Sequence, residues 1–111
     1  MKYFTRAELA CHCMCGKDTV DYKLAELLDA IREHFGVPVT VTSGNRCPTY
    51  NEEIGGSIHS MHLKGKAADI KVEGVKPQDV ADFAETLLTE GGIGRYNSFT
   101  HVDVRDHKAR W

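Results

Sequence analysis

No stretch of about 18 apolar residues occurs anywhere in this sequence, so no segment reads as a helix that could cross a membrane. The start, Met1-Lys2-Tyr3-Phe4-Thr5, also lacks the apolar run of a signal peptide. These absences lead us to expect a protein made and left in the cytoplasm, with no membrane partner. Neither sign of charge dominates: 14 Lys and Arg stand against 16 Asp and Glu, for a formal net charge of −2. Without a general basic field, binding to nucleic acid or an acidic polymer through bulk electrostatics is not expected, and recognition has to be local. Internal repeats, low-complexity segments and a domain linker are missing as well. A chain of 111 residues then makes one domain, residues 1–111, with one modest core, no room for a separate binding module, and a monomer as the expected state.

What is present alternates between helix and strand periods. Thr5-Arg6-Ala7-Glu8 has the form of a capping box and predicts a short helix to about Ala10. Leu24, Leu27, Leu28, Ile31 and Phe35 recur at spacings of three and four, which predicts a helix over about Asp21 to Phe35, ended by Gly36. Val37 to Thr42 is β-branched and reads as a strand, with Pro38 confining it to a start or an edge. Ser43 to Ser60 reads as a loop with a helical turn around Pro48 to Ile54. Ala67 to Val72 is a strand with Asp69 and Lys71 on one face and Ala68, Ile70 and Val72 on the other. Pro77 opens a helix over about Lys76 to Thr89, with Val80, Phe83, Ala84, Leu87 and Leu88 as its buried face. Gly91 to Tyr96 and Phe99 to Arg105 form an antiparallel pair around an Asn97-Ser98 turn. The fold class expected from this order is α+β: a small domain whose largely antiparallel sheet carries helices on one face.

The other face is where the chemistry gathers. His101, Asp103 and Arg105 share a side of the last strand, and a neighbouring strand can present Asp69 beside His101, while His62 comes from the preceding loop. Two His and one carboxylate are what a catalytic zinc site asks for, with a fourth position left open. That ligand set suits zinc better than magnesium or calcium. Spacing alone does not make a metal site, since a His and an Asp seven residues apart are common by chance.

Four cysteines add a second question. Cys11, Cys13 and Cys15, with Cys47 or His12, could hold a structural metal. Their Cys-x-Cys spacing is tighter than the usual zinc pair, so the favoured expectation is free thiols in a reducing compartment, with Cys15 and Cys47 as a pair close enough to oxidise.

The pattern Ser60-x-His62-x-x-Gly65-x-Ala67-x-Asp69, the preceding Thr42-Ser43-Gly44-Asn45-Arg46-Cys47-Pro48 and the later His101-Val102-Asp103-Val104-Arg105 resemble the M15 peptidases. The resemblance is to the branch of D-Ala-D-Ala carboxypeptidases and peptidoglycan endopeptidases that share a metal fold with the signalling domain of hedgehog proteins. It covers nearly the whole chain, since Phe4 to Leu9 and Ala109-Arg110-Trp111 look like the family's borders. It implies one catalytic zinc held by His62, Asp69 and His101, with Arg46 binding substrate and the developing oxyanion, and Ser60 contributing hydrogen bonds at the site. In several relatives a carboxylate three residues before the last metal-binding His serves as general base, but here that place is Ser98. Asp103 is the alternative: it either reaches the attacking water or orients a ligand His or Arg105. His59 offers a proton shuttle or is an exposed loop residue. Tyr50 and Tyr96 line the cleft or belong to the core.

The resemblance therefore implies a zinc peptidase cutting an amide bond in the peptide part of peptidoglycan. Endopeptidase cleavage is preferred slightly over D-Ala-D-Ala carboxypeptidase trimming, because a short chain has few loops to close a terminal pocket. The alternative is a non-catalytic zinc-containing binding domain of the same fold. With no signal peptide and a substrate outside the cytoplasm, a phage or prophage lysis enzyme (an endolysin), released by a separate pore, reconciles the two.

Overall fold

The computed structural model describes residues 1–111. Thr5 and Glu8 satisfy each other's free amides: the Thr5 amide donates to Glu8 Oε1 at 2.9 Å and the Glu8 amide to Thr5 Oγ1 at 3.3 Å. The element they cap is shorter than expected, a 3-10 turn at Ala7–Leu9, because Ala10 is already extended where the chain leaves for the cysteine loop. The first full helix, α1 (Tyr22–Phe35), starts where Asp21 accepts a hydrogen bond from the Lys23 amide and stops where Gly36 turns left-handed. Five strands follow, β1 (Val39–Ser43), β2 (Ala67–Val72), β3 (Gly91–Arg95), β4 (Thr100–Asp103) and β5 (Lys108–Arg110), together with α2 (Pro48–Glu53) and α3 (Pro77–Leu87).

The sheet order is β1-β2-β4-β3-β5, antiparallel throughout except for the parallel β3–β5 pair. Leu24, Leu27, Leu28 and Ile31 of α1 and Val80, Ala81 and Ala84 of α3 pack with Ala68, Ile70 and Val72 of β2, Ile93 of β3 and Val102 of β4. Burying the Leu, Ile and Val side chains among them stabilises by about 1.5–3 kcal/mol each, which makes this face the main source of stability. Thr100 also lies on the core side, and its hydroxyl donates to the Pro77 carbonyl at the start of α3. The result is the α+β domain anticipated, with helices α1 and α3 on one face of the sheet. No helix is long and apolar enough to cross a membrane.

Departures from the sequence reading are local. Val37 and Pro38 lie outside β1, where the Pro38 carbonyl accepts from the Glu73 amide. Helix α3 ends two residues early, Leu87 is exposed, and Ala81 takes the buried position in its place, so the apolar stripe is rotated towards the small side chains. Strand β5 was not anticipated, because three residues, Lys-Ala-Arg, carry no alternation of apolar and polar.

Candidate metal centre

Antiparallel pairing sets Asp69 of β2 directly opposite His101 of β4, so the two side chains leave the same face of the sheet, away from the helices. On the far side of β2 the register slips between Val41 and Ser43, a bulge that puts Ser43 opposite Asp69. Bulges re-aim the chain beside functional sites, and this one leads directly into Gly44-Asn45-Arg46. The third residue, His62, rides on a 3-10 turn at Met61–Lys64. Ser60 caps that turn by accepting from the His62 amide at 3.2 Å, and the His62 carbonyl accepts from the Arg46 amide at 3.0 Å.

The ring nitrogens are sorted by their partners. His62 Nδ1 lies 2.7 Å from the Gly44 carbonyl oxygen, which only accepts, so Nδ1 carries the proton and Nε2 faces Asp69 Oδ1 at 3.3 Å. His101 Nδ1 lies 2.9 Å from the same Oδ1, while Nε2 lies 2.7 Å from Asp103 Oδ2. One donor atom from each of His62, Asp69 and His101 falls within 4.8 Å of the other two, and all three residues are buried. A ligating His normally donates its second N–H to a carbonyl or carboxylate, as both do here. The donor chemistry thus fits a divalent metal of zinc type, with the remaining side open to a cleft.

Burial alone would raise the Asp69 carboxyl, but hydrogen bonds from His101 and His62 hold it well below the ordinary carboxylate range. Asp103 follows the same pattern: burial opposes ionisation, and His101 and Arg105 overcome it. For His101, burial disfavours the charged ring, yet its bonds to Asp103 and Asp69 raise its pKa above the usual value. These three groups form one buried electrostatic unit when no metal competes for the ring.

The cleft beside them encloses about 600 Å³. Its aromatic side is built by Tyr96, Phe99 and Trp111: the rings of Tyr96 and Phe99 stack with centroids 4.3 Å apart, and the Trp111 indole N–H donates to Tyr96 Oη at 2.7 Å. Trp111 also covers His101, with ring centroids 4.9 Å apart. A family model, described as peptidase M15, matches residues 2–103.

The chain belongs to the peptidase M15 family. Among curated proteins, the zinc D-Ala-D-Ala carboxypeptidase of Streptomyces albus G is 34% identical over 83 residues, which covers 68% of this chain. The matched stretch spans only about a third, 31%, of that relative's length.

Seen as an M15 site, the residues singled out by sequence meet in one place. Arg46 sits at the edge of the donor group, its guanidinium 3.6 Å from Asp69 Oδ2 and held by Ser43 Oγ and Asn51 Oδ1 at 3.2 Å each. Ser60 lines the cleft, but its oxygen is engaged in capping the turn that carries His62. Asp103 has no exposure at all: Arg105 donates to it from its amide, Nε and a terminal nitrogen, and His101 Nε2 fills the remaining direction. Of the two roles open to Asp103, these bonds fit orientation of His101; as a base reaching the attacking water it is blocked by its own partners. Asp69 is the one carboxylate lining the cleft, and His59 stands at its rim. Tyr50 does not line it, but Tyr96 does.

Trp111 was read only as a border residue, and its part in the site escaped the sequence because β5 was not foreseen. Space for it comes from β3: a Cβ on Gly94 would fall 2.6 Å from the Trp111 indole nitrogen, and one on Gly92 would fall 2.2 Å from Asp103 Oδ2. The Gly-Gly-Ile-Gly run is thus the imprint of two large groups on the same sheet face. The four cysteines form no disulfide with one another, and they are not scattered: their four sulfurs lie within 4.8 Å of one another, with Cys47 Sγ 3.5 Å from Cys13 Sγ.

Proposed function

We propose that this chain is a zinc-dependent peptidase domain that hydrolyses an amide bond in the peptide part of peptidoglycan. The observation that carries the reading is the convergence of His62 Nε2, Asp69 and His101 Nδ1 at the floor of an aromatic-sided cleft, with Arg46 alongside. Zinc held by these residues supplies a Lewis acid that polarises a carbonyl and brings the pKa of water towards neutrality. Arg46 is aimed at the negative charge that grows on the carbonyl oxygen, where a preorganised cation contributes most. Asp103, through Arg105 on one side and His101 on the other, fixes which face His101 presents. With Asp103 sealed off, His59 is the cleft residue able to accept and return a proton, as general acid–base catalysis requires.

Endopeptidase cleavage fits better than terminal trimming. Capture of a free carboxylate needs a dedicated cation, but Arg105 is committed to Asp103 and Arg46 to the reacting centre, and no further Arg or Lys lines the cleft. One observation favours a second reading, a binding domain without activity: no carboxylate other than Asp69 lines the cleft to act as base.

Purified peptidoglycan, digested and read by mass spectrometry, separates these readings. The wild type should release peptide fragments whose masses name an internal bond. Chelated protein and His101→Ala should release none, and His59→Ala should be slowed about 100-fold or more. Release of D-Ala alone would replace endopeptidase by carboxypeptidase. No release from any wall type, with zinc bound stoichiometrically, would leave the binding reading.

A further inference from the structure

Cys11, Cys13, Cys15 and Cys47 take no part in the cleft, yet their four Sγ atoms all lie within 4.8 Å of one another. Cys11 Sγ is 3.4 Å from Cys13 Sγ, which is 3.5 Å from Cys47 Sγ. A disulfide needs sulfurs about 2.05 Å apart, whereas four thiolates around one zinc, at about 2.3 Å each in a tetrahedron, stand roughly 3.8 Å from one another. The observed spacing is too long for a bond and fits four sulfurs gathered around one shared ion.

The backbone is shaped to produce it. In an extended chain Cys-x-Cys-x-Cys would spread three side chains along one face; here Met14 takes a left-handed conformation (φ 67°) and Gly16 another (φ 89°), folding the segment back on itself. The Met14 amide donates to the Cys11 carbonyl, and the Cys11 amide to the Lys17 carbonyl, which closes the loop. The loop is not held by apolar packing, since the Met14 side chain points into solvent and Cys13 and Cys15 are exposed. Cys47 arrives from the other direction as the N-cap of α2, its sulfur accepting from the Tyr50 amide at 3.4 Å, while its own amide donates to Cys11 Sγ at 3.4 Å. Hydrogen bonds to sulfur are among the means by which a protein tunes thiolate-bound metals.

We infer that Cys11, Cys13, Cys15 and Cys47 form a second, structural metal site, a closed tetrathiolate centre that takes zinc. Four soft donors select zinc over magnesium, calcium or manganese, and leave no open position for chemistry. The centre ties the N-terminal segment to the residue that follows Arg46. It braces the Gly44–Arg46 loop, in which Gly44 lies so close to Leu9 that a Cβ would fall 2.6 Å from the Leu9 carbonyl oxygen. The inference does not depend on peptidase activity.

The test is metal content and the cobalt spectrum of the whole 111-residue chain, purified with zinc present and without added oxidant or reductant. Wild type should bind two zinc ions per chain by native mass spectrometry, His101→Ala one, and His101→Ala combined with Cys13→Ser and Cys15→Ser none. Cobalt in place of zinc should give intense thiolate-to-cobalt absorption in wild type and in His101→Ala alike, and none in the cysteine variants. If the cysteine variants fail to fold, the wild-type spectrum still decides, because the His and Asp ligands give no thiolate band. One zinc per chain in wild type with no thiolate–cobalt absorption would overturn the inference, as would a mass two hydrogens short with no metal in place of the second zinc.

Discussion

Asp103 shows how a residue's partners decide its role. It shares a strand face with His101, and from that alone it could serve as base or as support. Burial to zero exposure, two bonds from the Arg105 side chain and one from His101 Nε2 leave it the second. Asp103→Asn should therefore weaken zinc binding at the His62–Asp69–His101 site by about 10–100-fold, the usual cost of losing such an outer partner. A competition titration against a chromophoric chelator measures it, and unchanged affinity with lost turnover would instead make Asp103 the base. His101 predicts a pH dependence as well. Its raised pKa means that a proton and a metal compete for Nδ1, so affinity should fall as pH drops below that value, by about tenfold per unit where one proton is displaced. The candidate ligand residues were legible as types in the sequence. Their protonation was not, because it depends on the Gly44 carbonyl and Asp103, which only folding brings to the rings.

At the scale of elements, β3 is the strand least like a strand in composition and the one that most shapes the site. Gly92 and Gly94 leave the volume that the Asp103 carboxylate and the Trp111 indole occupy. Gly92→Ala should destabilise by about 1–3 kcal/mol, the range for overpacking a filled site, and lower metal affinity in the same variant by displacing Asp103. Urea unfolding and metal titration on one preparation would read both; a stable variant with normal affinity would show that the carboxylate has somewhere else to go. The long elements α1 and α3 and the strand β2 could be read from periodicity, since each buries a stripe of its own residues. The bulge at Ser43 and strand β5 could not, because their existence depends on what their neighbours already occupy.

For the molecule as a whole, the buried ionic unit sets how the metal-free protein responds to pH. Asp69 and Asp103 have lowered values, so their contribution is complete above the unfolded carboxyl value of about 3.9 and is lost as pH falls through the folded values. His101 has a raised value, so its contribution is complete below the unfolded value of about 6.5 and is lost as pH rises through the folded one. Urea midpoints of metal-free protein should therefore peak between about pH 4 and 6.5, and His101→Asn should flatten the alkaline side of that peak. The sequence alone determined the α+β class and the helix and strand faces, and it marked His62, Asp69 and His101 as candidate ligands through their resemblance to the M15 pattern. The faces follow from local periodicity, which each segment carries within itself, and the candidates from motifs that each lie within one segment. Tertiary structure decided the orienting position of Asp103, the cover of Trp111 over His101 and the meeting of Cys47 with the Cys11–Cys15 loop. Each of these joins residues by packing and strand register, and contacts of that kind have no trace in the order of residues along one segment.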